Sequence, residues 1–255
     1  MASMPQKFRV RVKRQDGPDK PSYWNEFEID YRPNLNVISV LQEIAAHPVT
    51  VEGKQVPPVV WDSNCLEEVC GACTMLINGH VRQSCSTLVD ELLEQSHTFV
   101  LEPMTKFPVV RDLYVDRQRM FDALKLVQGW VPIDGTHHLG GGPQESPEKQ
   151  ELRYALSRCM TCGCCMEACP QFLKDNNFIG PQPIGQALLF NLHDTGKKLK
   201  GDRLDALMGP GGITDCGNAQ NCVKACPKDV PLTEAIAHIG RQTTLHAFKK
   251  FFAGR

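Results

Sequence analysis

Residues 159–170 read CMTCGCCMEACP, and no other stretch restricts so tightly what the chain can fold into. The pattern is C-x2-C-x2-C-x3-C-P, with a further cysteine, Cys164, inside it. At this spacing three cysteines hold one iron–sulfur cluster and the fourth reaches a second. The reason is reach: three thiolates on one tight loop can close on one cube, while a fourth, a helical turn further on, faces away. Pro170 cannot continue a hydrogen-bonded ladder and re-aims the chain.

A run of this kind, known from bacterial ferredoxins, demands a partner. Residues 216–227 read CGNAQNCVKACP. Cys216, Ala219, Cys222 and Cys226 each lie 57 positions after Cys159, Cys162, Cys165 and Cys169 (216 − 159 = 57, and so for the others). The two runs form an internal repeat with one ligand missing, because Ala219 stands where Cys162 stands. Cross-ligation puts Cys159, Cys162, Cys165 and Cys226 around one cluster and leaves Cys169, Cys216 and Cys222 for the other. Four thiolates suit a [4Fe–4S] cube. Three thiolates with a methyl group at the fourth corner suit a [3Fe–4S] cluster. The competing reading is structural zinc at paired Cys-x2-Cys knuckles.

A second metal signal lies upstream. Cys65, Cys70 and Cys73 have C-x4-C-x2-C spacing, and Cys85 follows. This is the spacing of a plant-type [2Fe–2S] site. Gly71 lets backbone approach the inorganic sulfide. Asn78-Gly79, between TMLI and HVR, predicts a type I′ hairpin that carries Cys85 back to the site. Zinc and four unrelated buried cysteines are the alternatives here.

The twelve cysteines of this 255-residue chain would suggest disulfides in a short secreted domain. The opening MASMPQK has no apolar core of a signal peptide, so a reducing compartment and metal ligation are expected. A net charge of −1 gives no sign of nucleic acid as a partner. No apolar run nears the roughly 20 residues that span a bilayer. No G-x-G-x-x-G supports a dinucleotide.

Alternation in QKFRVRVKR (6–14), with Phe8, Val10 and Val12 set against basic residues and one face buried, and in SYWNEFEIDY (22–31) predicts a first hairpin. NVISVLQEIAAH (36–47) predicts a helix capped by Asn36. Short strands are expected at 97–102 and 107–110, and a helix at 116–131 with Met120, Leu124, Val127 and Val131 inward. Ser146-Pro147 predicts a helix start. From there helices are expected: past Pro170 through Phe172 and Leu173 to a break at 178–181, then at 185–194, 203–209 and after Pro231. His137 and His138 form a loop with little claim to a metal. Leu245, Phe248, Phe251 and Phe252 in the basic tail suit docking on the domain itself or on a partner, or contact with lipid headgroups. Cys164 is left over as a packing thiol.

The order of these motifs resembles the iron–sulfur subunits of succinate dehydrogenases and fumarate reductases over nearly the whole chain. The residues that carry the resemblance are Cys65, Cys70, Cys73 and Cys85, the run at 159–170, FIGPQP at 178–183 and CGNAQNCVKACPKDVP at 216–231. The resemblance implies an α+β chain. Residues 1–115 would form a plant-type ferredoxin-like (β-grasp) domain and 116–145 a connecting helix and linker. Residues 146–255 would form an all-helical bacterial ferredoxin-like domain. It implies electron transfer from the FAD of a flavoprotein subunit, through the [2Fe–2S], [4Fe–4S] and [3Fe–4S] clusters, to quinone at a membrane-anchor cytochrome b carrying haem b. Dicarboxylate chemistry then belongs to a partner chain, and this subunit is peripheral on the cytoplasmic face of a bacterial inner membrane. Ubiquinone-linked members have a Trp shortly after the Cys-Pro and a His after the next cysteine. Here Gln171, Phe172, Leu173 and Lys174 follow Pro170, and Gly217 follows Cys216. That resembles the menaquinone-linked branch with a single-chain, di-haem anchor. Fumarate reduction is the alternative direction, and a redox-sensing or binding module the distant alternative.

Overall fold

The computed structural model describes residues 5–94, 96–132 and 145–253, so the His137-His138 loop lies outside the described residues. The chain forms two compact units, Met1–Arg117 and Gln118–Arg255.

The first unit is a mixed sheet with a helix against it. Strand β1 (Lys7–Arg14) buries Phe8, Val10 and Val12 and turns Lys7, Arg9 and Arg11 outward. It pairs antiparallel with β2 (Tyr23–Asp30), with Val10 opposite Phe27. On its other side β1 runs parallel to β5 (Thr98–Glu102). β5 pairs antiparallel with β3 (Thr74–Ile77), and β3 with β4 (His80–Gln83), giving the order β2-β1-β5-β3-β4. The β3–β4 turn is the expected one: Asn78 and Gly79 are both left-handed, at φ 50° and 77°. Helix α1 (Val37–Ala46) starts where Asn36 Oδ1 accepts from Ser39 N at 2.8 Å. It buries Val37, Ile38, Val40, Leu41 and Ile44 in the same core as Phe8, Phe27 and Phe99. A short helix, α2 (Val89–Leu93), and a small hairpin of β6 (Val109–Arg111) and β7 (Tyr114–Val115) complete the unit.

Arg14 departs from the plain alternation of apolar and basic residues along β1. It shares the period of Phe8, Val10 and Val12, so the strand carries it inward, where it is 0% exposed. A buried cation needs a fixed partner. Asp112, also 0% exposed, accepts from Arg14 Nε at 2.9 Å and Nη2 at 3.1 Å.

The described residues of the second unit are helical or irregular. The helices are α3 (Gln118–Leu126), α4 (Pro147–Ser157), α5 (Cys164–Glu167), α6 (Pro181–Leu192), α7 (Lys200–Met208), α8 (Asn221–Lys224) and α9 (Leu232–Ala253). α6 is central and buries Ile184, Ala187 and Leu188. α9 buries Leu232, Ala235 and Ile239 and leaves Leu245, Phe248, Phe251 and Phe252 exposed, while His246 and Lys250 of the same tail tie it to Asp205 of α7, each at 2.9 Å. α3 ends earlier than its apolar stripe predicts. Gln128 turns left-handed at φ 48°, and Gly129 N donates back to Leu124 O at 2.8 Å, a helix-terminating pair. Residues 170–180 are irregular instead of continuing a helix. Arg119 fixes them, donating to the carbonyls of Leu173, Asn176 and Phe178. Gly180-Pro181 begins α6, with Pro181 at a position whose N–H needs no partner. Among the described residues no helix is long and apolar enough to cross a membrane.

Candidate metal centres

The loop from Cys65 to Cys73 turns its amides inward. Leu66 and Glu68 are left-handed, at φ 62° and 57°, and Gly71 at 70°. Alternating right- and left-handed residues aim successive N–H groups at one point, a concavity suited to an anion. Two non-glycine residues in that region cost about 1–3 kcal/mol each, and such strain clusters at functional sites. Cys65 Sγ accepts from Glu67 N at 3.5 Å and from Val69 N and Cys70 N at 3.3 Å. Cys70 Sγ accepts from Cys65 N and Ala72 N, and Cys85 Sγ from Glu68 N at 3.3 Å. Those donors, Glu67 first, bring the Cys65 thiol down to about 7. Cys73 lies deeper, and burial pushes its thiol up to about 12.

Residues that spacing could not reveal hold the loop. The Gly71 carbonyl is drawn away from the cysteines by Thr74 Oγ1 at 2.9 Å and Arg117 Nη1 at 2.6 Å. Gln83, buried in β4, sets its Oε1 3.5 Å from Cys73 Sγ while its Nε2 donates to Thr74 Oγ1 at 2.7 Å. The Arg117 contact spans 46 positions, and a lone Gln or Arg carries no motif.

In the second unit the repeat of sequence is a repeat of backbone. Thr161 and Gly163 are left-handed at φ 54° and 91°; Asn218 and Gln220, 57 positions on (218 − 161, 220 − 163), are left-handed at 52° and 63°. α5 and α8 obey the same offset at both ends (221 − 164, 224 − 167). Gly163 takes this conformation freely, whereas Gln220 is strained in it. Cys159, Cys162, Cys165 and Cys226 line one hollow. Cys169, Cys216 and Cys222 line another, and Ala219 lies in that same lining. α6 begins between them, with Pro181 at the second hollow and Gln182 at the first. Burial pushes the Cys159 thiol up to about 11 and those of Cys165 and Cys222 above their ordinary value, with neighbouring cysteines adding to it. Cys164 is 1% exposed and lies outside the lining of both hollows.

These donor sets suit clusters and not single zinc ions. Zinc draws four ligands to about 2.3 Å from one point. A cluster spreads its thiolates over several irons and takes N–H donors at its sulfurs. Binding must also displace protons from the raised thiols, which ties assembly to the metal.

Comparison with known proteins agrees. Residues 9–122 match the 2Fe-2S iron-sulfur cluster binding domain family, and residues 155–230 the 4Fe-4S dicluster domain family. The chain is 56% identical over 245 residues to the succinate dehydrogenase iron-sulfur subunit of Bacillus subtilis, covering 96% of each. It is 26% identical to the fumarate reductase iron-sulfur subunit of Wolinella succinogenes, covering 89% of this chain and 92% of that one. In fold it is similar to a chain of the Mycobacterium smegmatis Sdh1 complex in the apo form, with a TM-score of 0.77 at 20% identity over 96% of this chain and 98% of that one. The chain belongs to the family of succinate dehydrogenase and fumarate reductase iron–sulfur subunits.

Proposed function

We propose that the chain conducts electrons from a flavoprotein subunit towards quinone, in the direction of succinate oxidation. Cys65, Cys70, Cys73 and Cys85 would hold [2Fe–2S]. Cys159, Cys162, Cys165 and Cys226 would hold [4Fe–4S], and Cys169, Cys216 and Cys222 would hold [3Fe–4S]. When bound, the clusters supply the one-electron steps that join a two-electron flavin to a quinone reduced stepwise. The chain's own residues fix the sulfurs, keep water from the more buried ones and direct N–H groups at the Cys65 loop, which favours added negative charge there. One observation carries the reading: the 57-residue repeat brings Ala219, not a fourth cysteine, into the hollow of Cys169, Cys216 and Cys222.

The mixed sheet with its packed helix supports a plant-type ferredoxin-like (β-grasp) domain near 1–115. The paired cysteine turns support a bacterial ferredoxin-like, all-helical domain over 146–255. α3, expected in the connection 116–145, lies in the second unit. The higher identity to a succinate dehydrogenase subunit supports oxidation over fumarate reduction. The partners would be an FAD flavoprotein and a cytochrome b anchor with haem b, on the cytoplasmic face of the membrane. Gly217 supports menaquinone: a Cβ there would lie 2.6 Å from Gln171 Nε2, so a histidine at 217 would displace the side chain now covering that backbone.

Purification from detergent-solubilised membranes tests the assembly. A flavoprotein and a haem protein are expected to accompany the chain in fixed ratio; recovery of the chain alone, free of membranes, contradicts it.

A further inference from the structure

Gln182 stands in the first turn of α6 and lines the hollow of Cys159, Cys162, Cys165 and Cys226. It is 1% exposed. Its Nε2 lies 3.4 Å from Thr161 Oγ1, and its Oε1 has no hydrogen-bond partner among the described residues. Lys228 lines the same hollow yet does not serve that oxygen. A buried carbonyl left without a donor is costly, and native interiors hold few. The two ends of an amide have nearly the same shape. Turned half a circle, Nε2 faces a hollow walled by sulfur, and the Thr161 hydroxyl, which otherwise turns to the Cys159 sulfur, donates to Oε1. Both ends are then used, provided that an acceptor occupies the hollow.

We propose that Gln182 Nε2 donates a hydrogen bond to a sulfur of the four-iron cluster and raises that cluster's reduction potential. The proposal rests on the ligand assignment given above. An N–H donor at a cluster sulfur stabilises the more negative, reduced state. At this hollow the backbone already supplies one such donor, Val230 N to Cys226 Sγ at 3.4 Å. In the first turn of α6, Pro181 and Pro183 have no N–H to give, and the Gln182 side chain adds a donor there. Gln182 is a positioning residue of the electron path: it tunes the cluster without holding iron.

The test is a redox titration of the four-iron EPR signal in the purified complex, for wild type and for Gln182→Leu. Leucine nearly keeps the volume and removes both polar ends. At a fixed potential near the midpoint, the ratio of reduced to oxidised cluster is expected to fall about tenfold, equal to about 59 mV for one electron. The midpoints of the other two clusters stay in place. An unchanged four-iron midpoint with full iron content overturns the role of Gln182 and leaves the ligand assignment standing. A wild-type complex without any four-iron signal overturns the assignment and the proposal together. Wild type gives a second readout that needs no variant. With the glutamine side-chain amides isotope-labelled, the reduced four-iron signal should show coupling to an amide nitrogen and its exchangeable proton. No such coupling overturns the proposal.

Discussion

Asp112→Ala should release the [2Fe–2S] loop while sparing the second unit. Asp112 accepts four N–H groups: Arg14 Nε and Nη2, Gln15 N at 3.1 Å and Val60 N at 3.0 Å. Arg14 Nη2 also donates to the carbonyls of Pro57 and Pro58. The pair thus straps 57–60 to β1, five residues before Cys65 (65 − 60 = 5). Removing one partner of a buried ion pair costs about 3–5 kcal/mol. Two stranded backbone donors push this towards the upper end. Against a typical domain stability of about 5–15 kcal/mol the loss is severe. The assay is denaturant unfolding of the complex, followed by the [2Fe–2S] absorbance and the cluster EPR signals. In the variant the [2Fe–2S] signal should vanish at clearly lower denaturant, with the other two signals unmoved. Arg14→Met with Asp112→Leu should recover much of the loss, because no charge is left unpaired. A shift under about 1 kcal/mol in Asp112→Ala, or parallel loss of all three signals, refutes the reasoning.

Ala219→Cys restores the ligand that the repeat lacks, so the three-iron EPR signal should disappear and iron content rise by about one per chain. An unchanged three-iron spectrum counts against the cross-ligation scheme. Cys164→Ala removes a buried thiol outside both hollows, so iron content and all three signals should persist; loss of a cluster would make Cys164 a ligand.

What could be read from the sequence follows from how local each constraint is. Ligands carried on one loop lie within a few residues of one another, so Cys65–Cys73 and both later runs are visible as spacing. The ligand proposed to be missing at Ala219 is visible because a repeat offers a place to look for it. The paired left-handed turns at Thr161/Gly163 and Asn218/Gln220 are that repeat in backbone form, and Gln220 hides it because glycine is the residue that announces such a turn. β1, β2, α1 and the Asn78-Gly79 turn were equally legible, since alternation, a cap and a turn dipeptide act within a few positions. Contacts across the fold were not. Arg14 looks like one more surface base until Asp112, 98 positions away, is brought to it. Arg117 meets the Gly71 carbonyl across 46 positions. Gln83 and Gln182 are ordinary glutamines until a sheet and a helix end set them against the cysteines. The apolar stripe past Leu126 gave no warning that Gln128 would turn left-handed.

An EPR-monitored redox titration of the purified complex tests the electron path most directly. A three-iron signal is expected in the oxidised, anaerobically prepared sample, then a [2Fe–2S] and a four-iron signal as the potential is lowered. Absence of the three-iron signal under those conditions would contradict it, because Ala219 would then not mark a missing ligand and the cysteines would have to be grouped anew, Cys164 among them.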